Sequence, residues 1–170
     1  MIKKLLSLLF FFSLLYSCGS SQKIVRQTPK KKTIKKTVSK KPSLADKVVW
    51  TAVSYKGIPY RYGGMNKNGM DCSGLIYVSF KKRNINLPRT SRLMYAEGFS
   101  IPLNKIKRGD LLFFNTSRRG RNVNHVGLVT SAKRGSIQFI HSTSSKGVLV
   151  SYLRENYWKR AFIKAKRVID

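Results

Sequence analysis

Acidic residues are scarce: 6 Asp and Glu stand against 35 Lys and Arg, a formal net charge of +29 over 170 residues. That imbalance does not choose a fold, but it marks a chain suited to polyanionic surroundings. Soft metal ligands are scarcer still, with two cysteines, Cys18 and Cys72, and two histidines, His125 and His141. So few argue against a cysteine-rich zinc module and a disulfide scaffold. Long apolar runs are missing too. The stretch Leu5 to Tyr16 holds 12 residues, two of them serine, short of the roughly 20 needed to span a bilayer. No internal repeat is present. What the chain does have is 42% hydrophobic residues, enough for a packed core and too many for a wholly disordered protein. The length leaves room for one globular domain.

Residues 1–17 join a basic start at Lys3 and Lys4 to that short apolar run, the layout of a secretory signal. The next residues, Leu15-Tyr16-Ser17-Cys18-Gly19, resemble a bacterial lipobox, in which cleavage leaves Cys18 as a lipid-bearing amino terminus; the alternative is an ordinary signal with an incidental cysteine. If Cys18 is acylated, Cys72 has no intramolecular partner and stays a free thiol in an oxidising compartment, which invites a chemical explanation. Residues 22–42 carry nine Lys or Arg, no acid and no aromatic. They read as part of a disordered tether over residues 18–42. The tether reads most simply as a solvated spacer, with attraction to anionic headgroups or acidic wall polymers as the sharper reading, and export argues against nucleic acid as its partner. The domain is placed at residues 43–170, itself basic with 24 Lys or Arg against all 6 acids.

Within that domain Ser43-Leu44-Ala45-Asp46 forms a capping-box start, followed by Val48, Val49, Ala52 and Val53 on one helical face, with Gly57 as a stop. A second helix is expected from Cys72 towards Arg83 and a short third one from Ser91 to Glu97. Beyond Asp110 the period changes. Leu111–Phe114, His125–Thr130, Ser136–His141, Val148–Leu153 and Phe162–Val168 read as short strands between turn-rich loops. Helices first and strands later predict an α+β fold, with N-terminal helices packed on a mainly antiparallel sheet.

Asp71 is placed to cap the second helix, which sets Cys72 in its first turn. Free N–H groups and the helix dipole there favour a thiolate. The candidate bases for such a nucleophile are His125 and His141. On adjacent strands, His125 could reach the sulfur while His141 accepts from its other ring nitrogen and fixes its tautomer. A buried cysteine and satisfied core histidines remain the alternative. Tyr60 and Tyr62 also read as half-buried aromatics, Gly63 and Gly64 as a tight turn, and Gly109-Asp110 as a turn signal, not a reacting group. Arg89 and Ser91 could line a groove and attract a carboxylate, although a surface arginine before a helix start explains them equally well.

Six ordered motifs bear on that choice: Gly57-Ile58-Pro59-Tyr60-Arg61-Tyr62-Gly63-Gly64, Asp71-Cys72-Ser73-Gly74-Leu75, Leu87-Pro88-Arg89-Thr90-Ser91, Gly109-Asp110-Leu111-Leu112-Phe113-Phe114, Asn124-His125-Val126-Gly127 and Ile140-His141. In this order they resemble the NlpC-type cell-wall cysteine peptidases. The resemblance implies a papain-like α+β fold and cleavage of peptidoglycan stem peptides, often at γ-D-glutamyl-meso-diaminopimelate. It places Cys72 as nucleophile, His125 as general base and His141 as the polar third member, a position that varies among relatives. Tyr60 would have its hydroxyl near the nucleophile, and Asp71 and Ser73 would hold polar groups of the substrate. No metal or organic cofactor is implied. The basic loop Arg118-Arg119-Gly120-Arg121-Asn122 could favour acidic stem peptides or simply stay solvated. A monomer anchored at the outer membrane and facing the periplasm is the expected setting. The competing readings are a related Cys/His amidase and a non-catalytic basic envelope-binding lipoprotein.

Overall fold

The structure, a computed structural model, describes residues 41–117, 122–133 and 135–169. The expected signal, Cys18, nearly all of the tether, and the run Arg118–Arg121 therefore lie outside the described residues.

Helix α1 spans Leu44–Val53 and starts where the sequence marks it. Ser43 Oγ accepts the Asp46 N–H, and the Asp46 carboxylate in turn accepts the Ser43 N–H, completing the capping box. Val48, Val49 and Ala52 are buried, but the fourth buried position is Thr51 instead of Val53, which is 40% exposed. Thr51 tolerates burial because its hydroxyl donates to the Lys47 carbonyl and accepts from Arg83. A two-stranded hairpin follows, β1 (Met65–Asn66) and β2 (Gly69–Met70). Helix α2 (Cys72–Lys81) comes next, with Leu75, Ile76 and Phe80 buried, and then the four-residue helix α3 (Ser91–Met94). Both end earlier than the sequence suggests. The hairpin was not foreseen, since two-residue strands carry no period to read.

The remaining strands are β3 (Phe99–Ile101), β4 (Leu111–Phe114), β5 (His125–Lys133), β6 (Ser136–Thr143), β7 (Gly147–Tyr152) and β8 (Phe162–Arg167). They form one six-stranded sheet in the order β3-β8-β4-β5-β6-β7, every neighbouring pair antiparallel. A short helix α4 (Asn156–Ala161), also unforeseen, precedes β8. The fold is α+β, helices packed against an antiparallel sheet, as the order of patterns indicates.

Strand β4 shows how the layers are built. All four of its residues are buried, and the two-residue period divides them: Leu111 and Phe113 join α1 and α2 in one core, while Leu112 and Phe114 join Phe139 and Trp158 in another. Asp110, just before β4, is buried and structural. Its carboxylate accepts both the Lys107 N–H and a two-pronged contact from the Arg167 guanidinium.

Candidate active site

Asp71 caps α2 and organises the first half of the site. Its carboxylate accepts the Gly74 N–H at 2.6 Å, the Gly63 N–H at 2.9 Å and the Ser73 hydroxyl at 3.2 Å. Arg89 reaches both of its oxygens, at 3.0 and 2.8 Å, and also donates to Ser73 Oγ at 2.9 Å. Burial would raise the Asp71 carboxyl, but Arg89 and the Gly74 N–H outweigh it and hold the group below the usual carboxylate range. Arg89, read as either a groove residue for a substrate carboxylate or a surface arginine before a helix start, lies on the groove with its guanidinium engaged by Asp71. Two glycines make this packing possible. A Cβ on Gly74 would sit 2.1 Å from the Gly64 carbonyl oxygen, and one on Gly64 would sit 2.3 Å from the Gly69 oxygen. Gly64 is thus required for lack of room, whereas Gly63, at φ +71°, supplies the turn.

Cys72, the first residue of α2, is half-buried and packs against the helix-side core. The backbone N–H groups of Val126, Ser73 and Cys72 itself point to its sulfur and lower its pKa. Burial and the Asp71 charge nevertheless push the thiol up overall. The expected resting thiolate is therefore corrected to a thiol: the dipolar donors are in place, but desolvation outweighs them.

The Val126 contact brings the sulfur to the start of β5, one residue from His125. Here the two histidines meet across β5 and β6. His125 Nε2 lies 3.0 Å from His141 Nδ1, and His141 Nε2 lies 3.0 Å from Ser151 Oγ on β7. With Nε2 of His125 turned to His141, Nδ1 is the ring nitrogen left outside that chain. Aromatic rings enclose the pair. Trp158 stacks on His125 at 5.3 Å and meets His141 edge-on at 4.5 Å, with Phe114 against His125 and Phe139 against His141. Burial lowers His125 to about 4 and, together with the neighbouring His125 charge, His141 to about 3. Both rings are neutral at pH 7.

In front of the sulfur is an open groove of about 510 Å³ lined by Tyr60, Tyr62, Gly63, Asp71, Cys72, Ser73, Arg89, Thr90, Ser91 and Asn124. The five expected binding residues, Tyr60, Asp71, Ser73, Arg89 and Ser91, all contribute to this wall. Tyr60 is held in place by a bridge to Met70, and burial, with the nearby Cys72 and Asp71 charges, pushes its hydroxyl up; it stays a hydrogen-bond donor. Ser91 is the first residue of α3, while the Thr90 hydroxyl caps that helix by accepting the Leu93 N–H. Sequence reading missed Ser151 and Trp158. A serine in a strand carries no local signal, and Trp158 depends on the unforeseen α4, which has no side-chain cap to announce it.

Residues 57–167 match the NlpC/P60 family. The chain belongs to that family. It is 40% identical over 116 residues to the probable endopeptidase NlpC of Escherichia coli K12, covering 68% of this chain and 72% of that protein. It is 36% identical over 117 residues to the Escherichia coli K12 murein DD-endopeptidase MepS/murein LD-carboxypeptidase, again over 68% of this chain but only 58% of that protein. Among solved structures, an NlpC/P60 family protein from Bacillus cereus superposes with a TM-score of 0.68 at 26% identity, covering 76% of this chain and 41% of that one. The six motifs noted above thus lie on one NlpC/P60 domain.

Proposed function

We propose that this NlpC/P60 protein is a peptidoglycan hydrolase that cuts stem-peptide amide bonds through an acyl-enzyme on Cys72, with γ-D-glutamyl-meso-diaminopimelate as the bond cut. The observation that carries the reading is the convergence, at one groove, of the Cys72 sulfur with the strand start that bears His125 and its hydrogen-bonded chain to His141.

The chemistry follows from the neutral resting pair. As the sulfur attacks the amide carbon, the Cys72 S–H proton passes to His125 Nδ1, so no isolated charge has to be held beforehand. The oxyanion that forms faces backbone N–H groups at the head of α2, with the Tyr60 hydroxyl as a further donor. His125, now an imidazolium, protonates the departing amine. Water then enters, gives a proton to His125 and hydrolyses the thioester. Asp71, ionised and paired with Arg89, and Ser73 and Ser91 hold the polar groups of the stem peptide.

Delivery completes the proposal. Export, acylation of Cys18 and the basic segment 18–42 would tether a monomeric domain at the outer membrane, facing the periplasm. Incorporation of labelled palmitate that survives Cys18→Ala would refute the anchor. For the reaction itself, protein incubated with defined muropeptides and read by mass spectrometry should release fragments split after D-glutamate, and Cys72→Ser should release none. Loss of the lactyl bond would instead identify an amidase, loss of D,D cross-links another endopeptidase, and no product at all a binding protein.

A further inference from the structure

The proton that His125 receives decides what the rest of the imidazole chain must provide. At rest both rings are neutral, and a serine hydroxyl can face His141 Nε2 as donor or as acceptor. Once His125 has taken the thiol proton, both of its ring nitrogens carry hydrogen. Its Nε2–H then donates to His141 Nδ1, 3.0 Å away. His141 Nδ1 must therefore be bare, which leaves the single hydrogen of that ring on Nε2. That N–H lies 3.0 Å from Ser151 Oγ. The same nitrogen is otherwise shut in: His141 is wholly buried, with the Phe139 ring centre at 4.7 Å and the Trp158 ring centre at 4.5 Å. The charged state allows one tautomer of His141, and so does the resting state that can take the thiol proton, since His125 Nδ1 must be bare to receive it; the Ser151 hydroxyl can accept from Nε2–H in both.

We propose that Ser151 is a positioning residue for the Cys72–His125 pair: its oxygen accepts the His141 Nε2–H bond that the charged state demands, and so governs how readily the thiol gives up its proton. The inference rests on the catalytic reading of that pair. In the step concerned one S–H bond breaks and one N–H bond forms at His125 Nδ1; nothing else is exchanged. Without Ser151 the charged state would bury an N–H with no partner, a cost that the neutral state can avoid by moving the hydrogen to Nδ1.

Among the described residues, the titratable and charged groups facing the pair are few. His125 comes from β5, His141 from β6 and Cys72 from α2, with Asp71 acting on the thiol and Tyr60, Tyr62 and Arg89 sharing its groove. Strand β4 and helix α4 present Phe114 and Trp158. A pH profile of Cys72 therefore reports on this chain.

The test is iodoacetamide alkylation of Cys72 in the full chain, followed from pH 5 to 9 by peptide mass spectrometry, in wild type, Ser151→Ala and Ser151→Thr. The Ala variant should react roughly tenfold more slowly at pH 7, with its profile displaced to higher pH. Its kcat on muropeptides should fall by the same factor at constant KM. Thr, which keeps the hydroxyl on a strand-compatible side chain, should restore both. An Ala profile that superposes on wild type overturns the proposal, and so does a slowing that Thr shares, which would mark a packing effect. Alkylation needs no substrate, so it reads Ser151 even if Cys72→Ser were to retain hydrolysis and the functional reading itself were to fail.

Discussion

At the head of α2 a carboxylate is kept ionised in a half-polar pocket, with Arg89, two backbone N–H groups and a hydroxyl around Asp71. Across the start of β5, two imidazoles are kept neutral in a box of Phe114, Phe139 and Trp158. Both regions are buried, yet they treat charge in opposite ways because one supplies donors and the other supplies rings. In the proposed mechanism, permanent charge thereby falls to the groove wall and transient charge to Cys72 and His125. The thiol lies at the seam, pulled down by three N–H groups and pushed up by burial.

Removing the reacting atom is the harshest challenge to this division. Cys72→Ser should lower muropeptide hydrolysis at least about a thousandfold, and His125→Ala added to it should cost almost nothing more, because the two act as a unit; a further large loss in the double variant would refute a coupled pair. Opening the box comes next. Trp158→Ala should destabilise the protein by about 3–5 kcal/mol in denaturant unfolding and let water reach both histidines.

Acid probes the same box without mutation. In the unfolded chain both histidines titrate near 6.5, against about 4 and about 3 when folded. Between those values the unfolded chain binds more protons, so stability is full above pH 6.5 and falls as pH drops towards 4, by up to about 1.4 kcal/mol per pH unit for each histidine. Unfolding curves from pH 7 to 5 should show that slope, and His141→Phe should flatten it.

On the polar side, Asp71→Asn should cost about 1–3 kcal/mol, since it weakens a helix cap and strands Arg89. The Asp71 carboxyl titrates below its ordinary value, so its contribution is present above the unfolded carboxylate range and lost as pH falls through the lowered value. The Asn variant should lack that acid-side loss. The smallest effect is expected from Thr130→Val, on the same strand as His125 but far from the groove. Its hydroxyl oxygen is buried with no hydrogen-bond partner among the described residues, so thermal unfolding should shift by under about 1 kcal/mol, in the stabilising direction.

The polar half of the site was the more legible in sequence. Asp71 caps α2 because a short carboxylate before a helical pattern has one good use, and Ser43 and Asp46 likewise announce α1. The strands from Leu111 onward declare themselves by β-branched and aromatic runs, and their adjacency brings His125 to His141. The aromatic half was not legible. Phe114 and Phe139 are only members of strand runs in the sequence, and Ser151 acquires its partner only through the β6–β7 register, in which Phe139 faces Ser151 and His141 faces Leu149. The state of the Cys72 thiol also escaped the sequence, because helix position is local whereas desolvation depends on everything that packs around it.

Cys72 packs with the helix-side core and the histidines with the ring-side core, on opposite layers of one sheet. A copy whose layers have not yet closed, or have come apart, holds a lone sulfhydryl and a lone base with nothing to join them. Any cutting power of the proposed site is therefore a property of the finished assembly, because neither layer alone holds both groups.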